Sequence, residues 1–436
     1  MKVLKFGGTS VGSPQRIKEV FNLINDKEQK IVVLSAMSGT TNKLVEISDY
    51  LYKNNFETAN ELIHKLENTY AEVIDGLYTK PETKNAARKI MTAIFDEIKH
   101  CVGKNHTARE ERIILAQGEI MSTNLFTLYA KEQNGSVALL PALDYMRTNQ
   151  NAEPDYTYIR ENLGKLVKAN EKSTLLITQG YICKNFAGEI DNLKRGGSDY
   201  SASIIGAAID ASEVQIWTDI DGMHNNDPRF VEGTVPVRYL SFDEAAELAY
   251  FGAKILHPLS ILPAKLANIP VILKNTMDPS APGTTIKEDK DKKGIKSIAA
   301  KDGITMIRIK SGRMLLAYGF LRKVFEIFEK YKTPIDMITT SEVGVSVTID
   351  NATHLNAIVE ELKQDATVTV EKEQSIICMV GHQILENNIV TAKIFEALKN
   401  IPVQMISYGG STFNISVLIN TQHKKETLVS LSKHLF

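Results

Sequence analysis

The sequence of 436 residues contains little cysteine and no long apolar segment. Its three cysteines, Cys101, Cys183 and Cys378, are far apart and form no CxxC pair, which argues against a disulfide framework or a cysteine-based zinc site. No apolar run approaches the roughly 18 residues that a membrane span needs. Polar residues in the opening MKVLKFGGTS come too early for the apolar core of a signal peptide. These absences predict a soluble, cytoplasmic protein without a membrane partner.

The chain also lacks an excess of charge of either sign. Lysine and arginine number 51 against 52 aspartates and glutamates, which gives a net charge of −1. This balance argues against nucleic acid or an anionic membrane surface as the main partner. The hydrophobic fraction of 43% is that of an average globular protein. Because the chain is too long for one ordinary core, we expect two or more domains.

Short β-rich runs alternate with helical patterns through the first two-thirds of the chain. Continuous apolar runs of this kind are typical of strands that are buried on both faces of a parallel sheet. Residues 43–133 have a helical pattern with polar faces and are predicted to pack on that sheet. The predicted fold class is α/β, with helix–sheet–helix layers. The β-rich runs are residues 3–6, 31–36, 136–142, 174–180, 214–220 and 269–275.

The composition changes at residues 278–296, which are rich in Pro and Gly and then in mixed charge. The segment is either a surface loop within one domain or a linker, and we favour a linker because the last third of the chain contains an internal repeat. Residues 320–350 resemble residues 391–420, and a strand-like segment precedes each copy. The repeat indicates a duplicated α+β module, since chance similarity of two helices does not explain the matched turns. The matched positions are Phe325 and Phe395, Pro334 and Pro402, Met337 and Met405, and Val347 and Val417.

Residues 5–12, KFGGTSVG, form a glycine-rich segment that follows a predicted strand. They have neither the GxxxxGK[ST] spacing of a P-loop nor the GxGxxG of dinucleotide loops. Ser13 and Pro14 are suited to begin a helix directly afterwards. Glycines let backbone N–H groups approach an anion, and Lys5 adds a positive charge. Taken alone, the segment is either a phosphate site or a structural glycine turn.

Two further segments place polar side chains where α/β folds bind ligands. In RGGSD, Ser198 begins an Ala/Ile-rich helix, and Arg195 and Asp199 flank that helix terminus. A helix cap with a surface ion pair explains only part of this pattern. Thr218 and Asp219 end a β-rich run, and open α/β sheets bind ligands at the carboxyl ends of strands.

Other candidate residues are isolated in the sequence. Glu119 stands in a weakly charged stretch, which indicates a buried or ligand-facing carboxylate. Ser35 and Thr41 lie in a hydroxyl-rich loop after a strand. Lys254 follows a glycine in FGAKILHP, where a buried helix terminus is an equal alternative. His257 is interpreted as structural, because no second histidine or acid is spaced to act with it.

Seven motifs resemble the landmarks of the aspartate kinases in order and spacing. They are KFGGTSV, the GE at 118–119, MRTN with AEPD, RGGSDYSA, WTDIDG with DPR, FGAKILHP and ITTSEVGVS. The resemblance covers essentially the whole chain. It implies the amino-acid kinase fold, an αβα sandwich, followed by two α+β ACT domains of βαββαβ type. It also implies the monofunctional form, without a homoserine dehydrogenase domain. The implied limits are 1–280 for the catalytic domain, 281–300 for a linker and 301–436 for the regulatory region, with ACT domains at about 305–372 and 373–436.

The resemblance implies transfer of the γ-phosphate of ATP to the β-carboxylate of L-aspartate. The product is 4-phospho-L-aspartate, in the first step of lysine, threonine and methionine biosynthesis. A carboxylate is ionised at neutral pH and needs no general base, which agrees with the absence of a Ser–His or His–Asp pattern. Catalysis should then depend on positioning and on positive charge around the transferring group.

The resemblance also implies roles for the candidate residues. Lys5 stabilises the phosphoryl group in transit with the amides of Gly7 and Gly8, and Asp199 orients Lys5. Among the substrate-binding residues, Arg195 binds the α-carboxylate of aspartate and Glu119 binds its ammonium. The remaining aspartate contacts are Ser35, Thr41 and Ser198, and the nucleotide contacts are Thr218, Asp219, His224, Arg229 and Lys254. Mg²⁺ bridges the phosphates, and no protein residue is assigned as a metal ligand.

The implied regulation is inhibition by lysine, bound between ACT modules of two subunits in a homodimer. Whether dimers pair into tetramers is open, and the ACT pair could instead serve only as a dimerisation surface. The carboxylates of Asp336 and Glu342 are suited to a lysine ammonium. Two positions depart from the family pattern: His224 replaces a tyrosine near the nucleotide base, and Ala317 replaces a serine of the effector site. The implied effector residues are Met314, Gly319, Phe320, Leu321, Ile335, Asp336, Ser341, Glu342 and Val343.

Two other functions are compatible with the same domain types. A catalytically silent amino-acid sensor would keep the ACT pair but have damaged phosphate or aspartate loops, and no such damage is seen. Another amino-acid kinase, acting on glutamate or acetylglutamate, would not share Arg195 and Glu119 in these contexts.

Overall fold

The computed structural model describes residues 1–103, 105–133, 135–193, 196–252, 256–288, 294–310 and 319–436. The chain divides into two compact units. The first unit comprises Met1–Met223 and Ile255–Glu288, and the second comprises His224–Lys254 and Asp289–Phe436.

Strands and helices alternate along the chain. In chain order the strands are β1 (Lys2–Phe6), β2 (Lys30–Leu34), β3 (Val137–Leu139), β4 (Leu175–Gln179), β5 (Ile182–Lys184), β6 (Ile190–Asn192), β7 (Glu213–Thr218), β8 (Tyr239–Leu240), β9 (Val271–Asn275), β10 (Thr284–Ile286), β11 (Gly294–Lys310), β12 (Ile338–Ser341), β13 (Gly344–Ile349), β14 (Thr367–His382), β15 (Val403–Ser407) and β16 (Asn414–Asn420). The α-helices are α1 (Pro14–Ile24), α2 (Thr40–Tyr52), α3 (Phe56–Leu77), α4 (Pro81–His100), α5 (Ala108–Glu132), α6 (Ala142–Tyr145), α7 (Tyr156–Ala169), α8 (Gly197–Ala208), α9 (Phe242–Tyr250), α10 (Pro258–Leu266), α11 (Phe320–Lys330), α12 (Leu355–Leu362), α13 (Asn388–Ala397) and α14 (Lys424–Leu435), and short 3-10 helices lie at Ile384–Glu386 and Thr421–His423. Within the described ranges, no helix is long and apolar enough to cross a membrane.

A largely parallel sheet forms the centre of the first unit. Its strand order in this unit is β3-β4-β2-β1-β7-β9-β10, and only β10 runs antiparallel to its neighbour β9. Both β2 and β4 are buried over their whole length, which explains their mostly apolar sequences. Helix α5 packs against β2, β3 and β4, and α8 packs against β1, β2 and β7. The predicted α/β class with a parallel, helix-covered sheet is confirmed.

Helices α2 to α5 extend the core of this unit. Their buried side chains include Leu44, Tyr70, Phe95 and Phe126, which join Phe6 of β1 in one hydrophobic cluster. The Tyr70 ring packs edge-on against Phe95, with ring centroids 6.1 Å apart. The predicted helical elaboration at 43–133 is therefore present and is part of the main core.

The carboxyl ends of neighbouring strands lie at one edge of the sheet. Phe6, the last residue of β1, is in register with Leu34 at the end of β2, and Leu34 is in register with Gln179 at the end of β4. On the other side of β1, Thr218 of β7 pairs with Asn275 of β9. The loops that follow these strands therefore leave the same edge, where open α/β sheets bind ligands.

The second unit contains an antiparallel sheet with the strand order β12-β13-β11-β14-β16-β15. One module consists of α11 and α12 over a core that includes Ile307, Phe328 and Val347. The other consists of α13 and α14 over a core that includes Ile377 and Val417. Each module repeats the order of helix, two strands and helix, so the predicted duplication is confirmed.

Two chain segments complete the second unit. The first half of β11 pairs with β14, from Gly294 opposite His382 to Lys301 opposite Ile376. Asn225, in the segment between the sheet strands of the first unit, accepts a hydrogen bond from the Ile298 amide at 2.9 Å. The domain limits drawn from the sequence stay a prediction.

Candidate active site and effector site

Lys5 lies near the carboxyl end of the central strand β1. Its Nζ is 2.7 Å from Oδ1 of Asp199, in the first turn of α8. The exposed fractions of the two side chains are only 11% and 17%. Because water screens this ion pair poorly, its electrostatic interaction is stronger than that of a surface pair. The structure thus brings together the two residues that the sequence assigns to catalysis.

The glycine loop after β1 packs closely on the loop after β2. The Ser10 amide donates to the Gly7 carbonyl at 3.0 Å, and the Ser38 amide donates to the Gly8 carbonyl at 3.1 Å. A Cβ on Gly8 would stand 2.8 Å from the carbonyl oxygen of Ala36, so a side chain there would force one of the two loops to move. The close approach of two loops therefore accounts for Gly8, in addition to any role toward an anion.

Gly7 and the start of α1 complete the loop. A Cβ on Gly7 would lie 3.5 Å from Nζ of Lys5, so this glycine leaves the space beside the ammonium open. Helix α1 begins as predicted, because the Ser13 side chain accepts the amide of Arg16 and Pro14 occupies the first turn.

Glu119 lies in the middle of α5 and is only 4% exposed. One carboxylate oxygen, Oε1, accepts the amide of Ala36 at 3.2 Å. The other, Oε2, is buried and has no hydrogen-bond partner among the described residues. Burial raises the pKa of Glu119 to about 7, while the hydrogen bond from Ala36 and the charge of Lys5 act in the opposite direction. A cation that reached Oε2 would ionise this carboxyl and satisfy it.

The two predicted serines meet at the same edge of the sheet. Ser35 Oγ donates to Ser198 Oγ at 2.9 Å. Gly180, which follows β4, packs against Ser198, and a Cβ on Gly180 would stand 2.4 Å from Ser198 Oγ. The sequence analysis did not assign Gly180, although the end of its strand was a visible signal.

Helix α8 begins with two glycines in the left-handed region. Gly196 has a φ of 82° and Gly197 a φ of 49°. A Cβ on Gly196 would stand 2.3 Å from Ser260 Oγ, so both the backbone and the packing require glycine here. Arg195, the predicted ligand of the substrate α-carboxylate, lies outside the described residues.

Thr41 lies in the first turn of α2, after Gly39 at the N-cap. Its side chain is half-buried, whereas that of Thr40 is buried and hydrogen-bonds to Tyr70 at 3.0 Å. The two neighbouring threonines therefore differ: Thr40 packs in the core, and Thr41 keeps partial access to solvent.

Tyr181 is a candidate that the sequence analysis missed. Its φ of 64° is uncommon for a residue other than glycine, and the amide is held by Ser201 Oγ at 2.8 Å. Burial raises the pKa of Tyr181 to about 12, and the charge of Glu119 contributes to the same shift. Strain of this kind concentrates at functional sites. No sequence signal separates this tyrosine from other tyrosines that follow a strand.

Thr218 and Asp219 stand at the carboxyl end of β7. Thr218 Oγ1 accepts the amide of Ile220 at 3.2 Å, which forms a tight turn, and Asp219 is exposed. In the adjacent strand β9, Lys274 is in register with Trp217 and lies 5.5 Å from the centre of its ring. Lys274 is a second missed candidate, since it places a cation beside the end of β7.

The other predicted nucleotide residues belong to the second unit. His224 Nδ1 lies 3.1 Å from Thr234 Oγ1, and its carbonyl accepts a hydrogen bond from Ser297. Arg229 is 73% exposed and forms a forked ion pair with Asp227, with the closest contact at 2.6 Å. Lys254 lies outside the described residues.

Those predicted effector residues that the structure describes lie at the start of α11 and in or just before the β12–β13 hairpin. Met314 and Ala317 lie outside the described residues. The remaining ones are Gly319 at the N-cap of α11, Phe320 and Leu321 in its first turn, Ile335 and Asp336 before β12, Ser341 at the end of β12, and Glu342 and Val343 in the turn to β13.

Asp336 is held differently from Glu342, which is exposed. The Asp336 side chain is 1% exposed, and its Oδ1 lies 2.8 Å from Nζ of Lys301. The hydroxyl of Tyr250 donates to the same oxygen at 2.9 Å. Burial raises the pKa of Asp336, and the Lys301 ammonium acts in the opposite direction.

Protein ligands for a metal ion were also sought. Over the described ranges, no three His, Cys, Asp or Glu side chains come close enough together to hold a metal ion.

Residues 1–275 match the amino acid kinase family, and residues 377–435 match the ACT domain. The chain is 36% identical to aspartokinase 2, chloroplastic, from Arabidopsis thaliana, over all of this chain and 84% of that protein. It is 30% identical to the crystal structure of E. coli aspartokinase III in complex with aspartate and ADP, with a TM-score of 0.87 and full coverage of both chains. The structure of the same enzyme with lysine and aspartate gives a TM-score of 0.85, at 30% identity, over all of this chain and 99% of that one.

These similarities extend through both units. The region that matches the amino acid kinase family contains the partly buried Lys5–Asp199 pair, and the ACT match lies in the second of the duplicated modules. The relatives are similar over the full length of this chain and not only in one domain. The chain therefore belongs to the aspartokinase family, with an amino acid kinase fold followed by ACT modules.

Proposed function

We propose that the chain transfers the γ-phosphate of ATP to the β-carboxylate of L-aspartate, giving ADP and 4-phospho-L-aspartate. The observation that carries the proposal is the partly buried ion pair of Lys5 with Asp199, 2.7 Å long, beside the glycine loop at the end of β1. The similarity over both full chains to a structure of aspartokinase III with aspartate and ADP supports the same reaction.

The chemistry requires charge neutralisation and needs no general base. A β-carboxylate oxygen attacks the γ-phosphorus, and the bond from that phosphorus to the β–γ bridging oxygen breaks as ADP leaves. The attacking carboxylate is already ionised at neutral pH. Since both reactants are anions, positive charge around the transferring group lowers the barrier. Lys5 supplies this charge, the amides of Gly7 and Gly8 add donors, and Asp199 keeps the ammonium of Lys5 in place.

Glu119 is proposed to bind the ammonium of aspartate. Its buried Oε2 has no partner among the described residues, and a neighbouring ammonium would supply one. Burial also keeps the pKa of Glu119 at about 7, so a bound cation shifts the carboxyl to its ionised form. Arg195 is proposed to bind the α-carboxylate of the substrate. Ser35, Ser198 and Thr41 are proposed to complete the polar contacts to aspartate.

The nucleotide is proposed to bind at the carboxyl end of β7. Thr218 and Asp219 lie there, and His224, Arg229 and Lys254 are the other proposed contacts. Mg²⁺ would be held mainly by the phosphate oxygens of ATP, whose charge it neutralises. The protein residues then orient the nucleotide. The forked ion pair with Asp227 holds the Arg229 side chain in place.

We further propose that lysine inhibits the enzyme by binding at Asp336, Glu342 and the neighbouring effector residues. The similarity to aspartokinase III in complex with lysine supports lysine as the effector. A homodimer through the ACT modules is proposed because β12 and β15 are the end strands of their sheet among the described residues and carry the exposed Ile338 and Ile406.

A cytoplasmic location and the domain limits 1–280, 281–300 and 301–436 are part of the same proposal. Cys183 and Cys378 are buried and form no disulfide, which supports a reducing compartment.

The proposal is tested by trapping the acyl phosphate with hydroxylamine in the presence of ATP and either aspartate or glutamate. We expect hydroxamate with aspartate only, and a loss of at least about 100-fold in kcat for Lys5→Ala, since one preorganised donor contributes that much. Lys30→Met is the matched control, because Lys30 is also buried and ion-paired but stands at the start of β2.

Each result discriminates between the candidate functions. Product with glutamate in place of aspartate would identify another amino-acid kinase. No product with either substrate, together with intact lysine binding, would identify an amino-acid sensor. Near-normal turnover by Lys5→Ala would exclude the proposed mechanism.

A further inference from the structure

Among the described residues, Asp336 is the only proposed effector ligand whose carboxylate accepts a hydrogen bond from helix α9. Its Oδ1 accepts hydrogen bonds from both the Tyr250 hydroxyl, at 2.9 Å, and Nζ of Lys301, at 2.8 Å. Its Oδ2 is buried and has no hydrogen-bond partner among the described residues. A buried carboxylate oxygen without a donor is costly, so this atom is suited to receive a donor from a ligand.

The charges around Asp336 favour a cationic ligand. Lys301 also binds Asp350 at 2.9 Å, so one ammonium is shared by two carboxylates. The ring of Tyr250 lies 4.6 Å from the Lys301 ammonium and adds a cation–π contact. The cluster of Asp336, Asp350 and Lys301 thus contains two carboxylates and one ammonium. The ammonium of an amino-acid side chain would neutralise the remaining negative charge.

Tyr250 is the last residue of α9, and this helix has further polar contacts in the second unit. Glu247 accepts hydrogen bonds from Ser411 at 2.7 Å and from Asn414 at 2.5 Å. Glu244 is fully buried and forms an ion pair with Lys296 at 3.0 Å. Helix α9 is therefore attached to the loop before β16, to β11 and, through Tyr250, to the effector carboxylate.

The turn after α9 is attached to the strand that carries Lys301. Gly252 has a φ of 115°, and a Cβ there would stand 2.1 Å from the carbonyl oxygen of Ala300, the residue before Lys301. Gly252, Lys301 and Arg229 also line one cavity of about 250 Å³. Arg229 is a proposed nucleotide contact, and Lys254 follows Gly252 closely in the chain. Tyr250 therefore links the effector carboxylate to the turn at Gly252, which in the sequence precedes the proposed nucleotide contact Lys254.

We propose that Tyr250 is a positioning residue that couples effector binding at Asp336 to helix α9 and the nucleotide segment after it. The inference rests on the proposed inhibition by lysine. An ammonium that binds Oδ2 draws the carboxylate toward itself and competes with the Tyr250 hydroxyl for it. The end of α9 and the turn at Gly252 then change position together. Such a ligand shifts the equilibrium only by the difference in its affinity for the two arrangements, and the Tyr250 hydrogen bond supplies part of that difference.

The test is Tyr250→Phe, which removes the hydroxyl and keeps the ring that contacts Lys301. Lysine binding to the full-length protein is measured by calorimetry without substrates, and inhibition is measured with aspartate and ATP. We expect the Kd for lysine to change by less than about threefold, because Lys301 still holds Asp336. Inhibition should remain incomplete at saturating lysine, because the effector site is still filled but the link to α9 is lost.

Tyr331→Phe is the matched control. It also removes a tyrosine–carboxylate hydrogen bond in the second unit, that of Tyr331 to Glu361 at 3.1 Å. It should leave both lysine binding and inhibition unchanged. A structural effect alone would alter binding and inhibition in parallel, or would appear equally in both variants.

The outcomes separate this inference from the proposed function. If Tyr250→Phe binds lysine and is inhibited as the wild type is, Tyr250 does not couple the sites. If the variant loses binding and inhibition together, Tyr250 belongs to the binding site and the coupling role is excluded. If the wild type neither binds lysine nor responds to it while its kinase activity is intact, both lysine regulation and this inference are wrong and the kinase proposal stands.

Discussion

At the scale of single residues, Glu119 and Lys5 illustrate how burial changes a charged group. Lys5 is paired with Asp199, so its ammonium has a fixed position and direction. Glu119 accepts a hydrogen bond from the Ala36 amide, and burial raises its pKa to about 7. The same site therefore contains the Lys5 ammonium, which is already held in position, and the Glu119 carboxyl, whose ionisation depends on what binds beside it.

The ionisation of Glu119 predicts a pH-dependent affinity for aspartate. The carboxyl is protonated below its pKa of about 7 and negatively charged above it. With saturating ATP, we expect KM for aspartate to fall about tenfold between pH 6 and pH 8, as the ionised fraction rises from about one-tenth to about nine-tenths. Steady-state kinetics across this range measure the change.

Glu119→Gln is the control for this prediction. The amide keeps the shape of the side chain but cannot ionise, so KM should be high and nearly independent of pH. Titration of the substrates affects both proteins alike. The same pH slope of KM in the wild type and the variant would contradict the assignment of Glu119.

At the scale of elements, the ends of the parallel strands and their loops build the site. The glycine loop after β1 and the loop after β2 are in hydrogen-bond contact through Ser38 and Gly8. Gly180 after β4 packs on Ser198 in the first turn of α8 in the same way. Small residues at these points let three backbone segments approach one another, so the functional side chains lie close together.

The requirement for Gly8 predicts a loss of stability in Gly8→Ala. The new methyl group would meet the Ala36 carbonyl at 2.8 Å, and moving the loop costs about 1–3 kcal/mol of unfolding free energy. Gly164→Ala is the matched control, because nothing lies within 4 Å of its Cβ position in α7. It should stabilise the helix by about 0.5–1 kcal/mol. Chemical denaturation of both variants measures their unfolding free energies. A Gly8→Ala variant as stable as the wild type would show that the loop adjusts freely.

At the scale of the whole molecule, the edges of the antiparallel sheet in the second unit are candidate contacts between subunits. Strands β12 and β15 are the two ends of the hydrogen-bonded strand order in the described chain; they contact each other, and each carries an exposed isoleucine. Exposed apolar edge strands favour pairing with another chain. This geometry supports the proposed dimer.

Assembly through these edges predicts that charge on them gives monomers. In Ile338→Lys with Ile406→Lys, we expect the sedimentation coefficient to fall to that of a single chain, because two edges of like charge repel. If the effector binds between subunits, inhibition by lysine should be lost together with the dimer. Phe186→Lys is the control, since Phe186 is 59% exposed in the first unit and should leave the assembly unchanged. A wild type that is already monomeric would exclude the dimer.

Much of the fold and part of the site are determined by the sequence itself. The apolar runs at 31–36 and 174–180 correspond to the fully buried strands β2 and β4, because only strands covered on both faces are apolar throughout. The repeated helix and hairpin pattern predicts a duplicated α+β module, and the resemblance to a known family identifies its two copies as ACT modules. Lys5 and Asp199 were identified because they stand beside glycines at a strand end and a helix start.

Only the tertiary structure decided which distant residues meet. The ion pair of Lys5 with Asp199, the contact of Ser35 with Ser198 and the hydrogen bond of Tyr250 with Asp336 join segments that no local pattern connects. Hydrophobic periodicity records which face of an element is buried, but strand order and helix packing determine what lies opposite that face. Glu119 shows the same limit, because its raised pKa arises from the core around it and not from its neighbours in the chain.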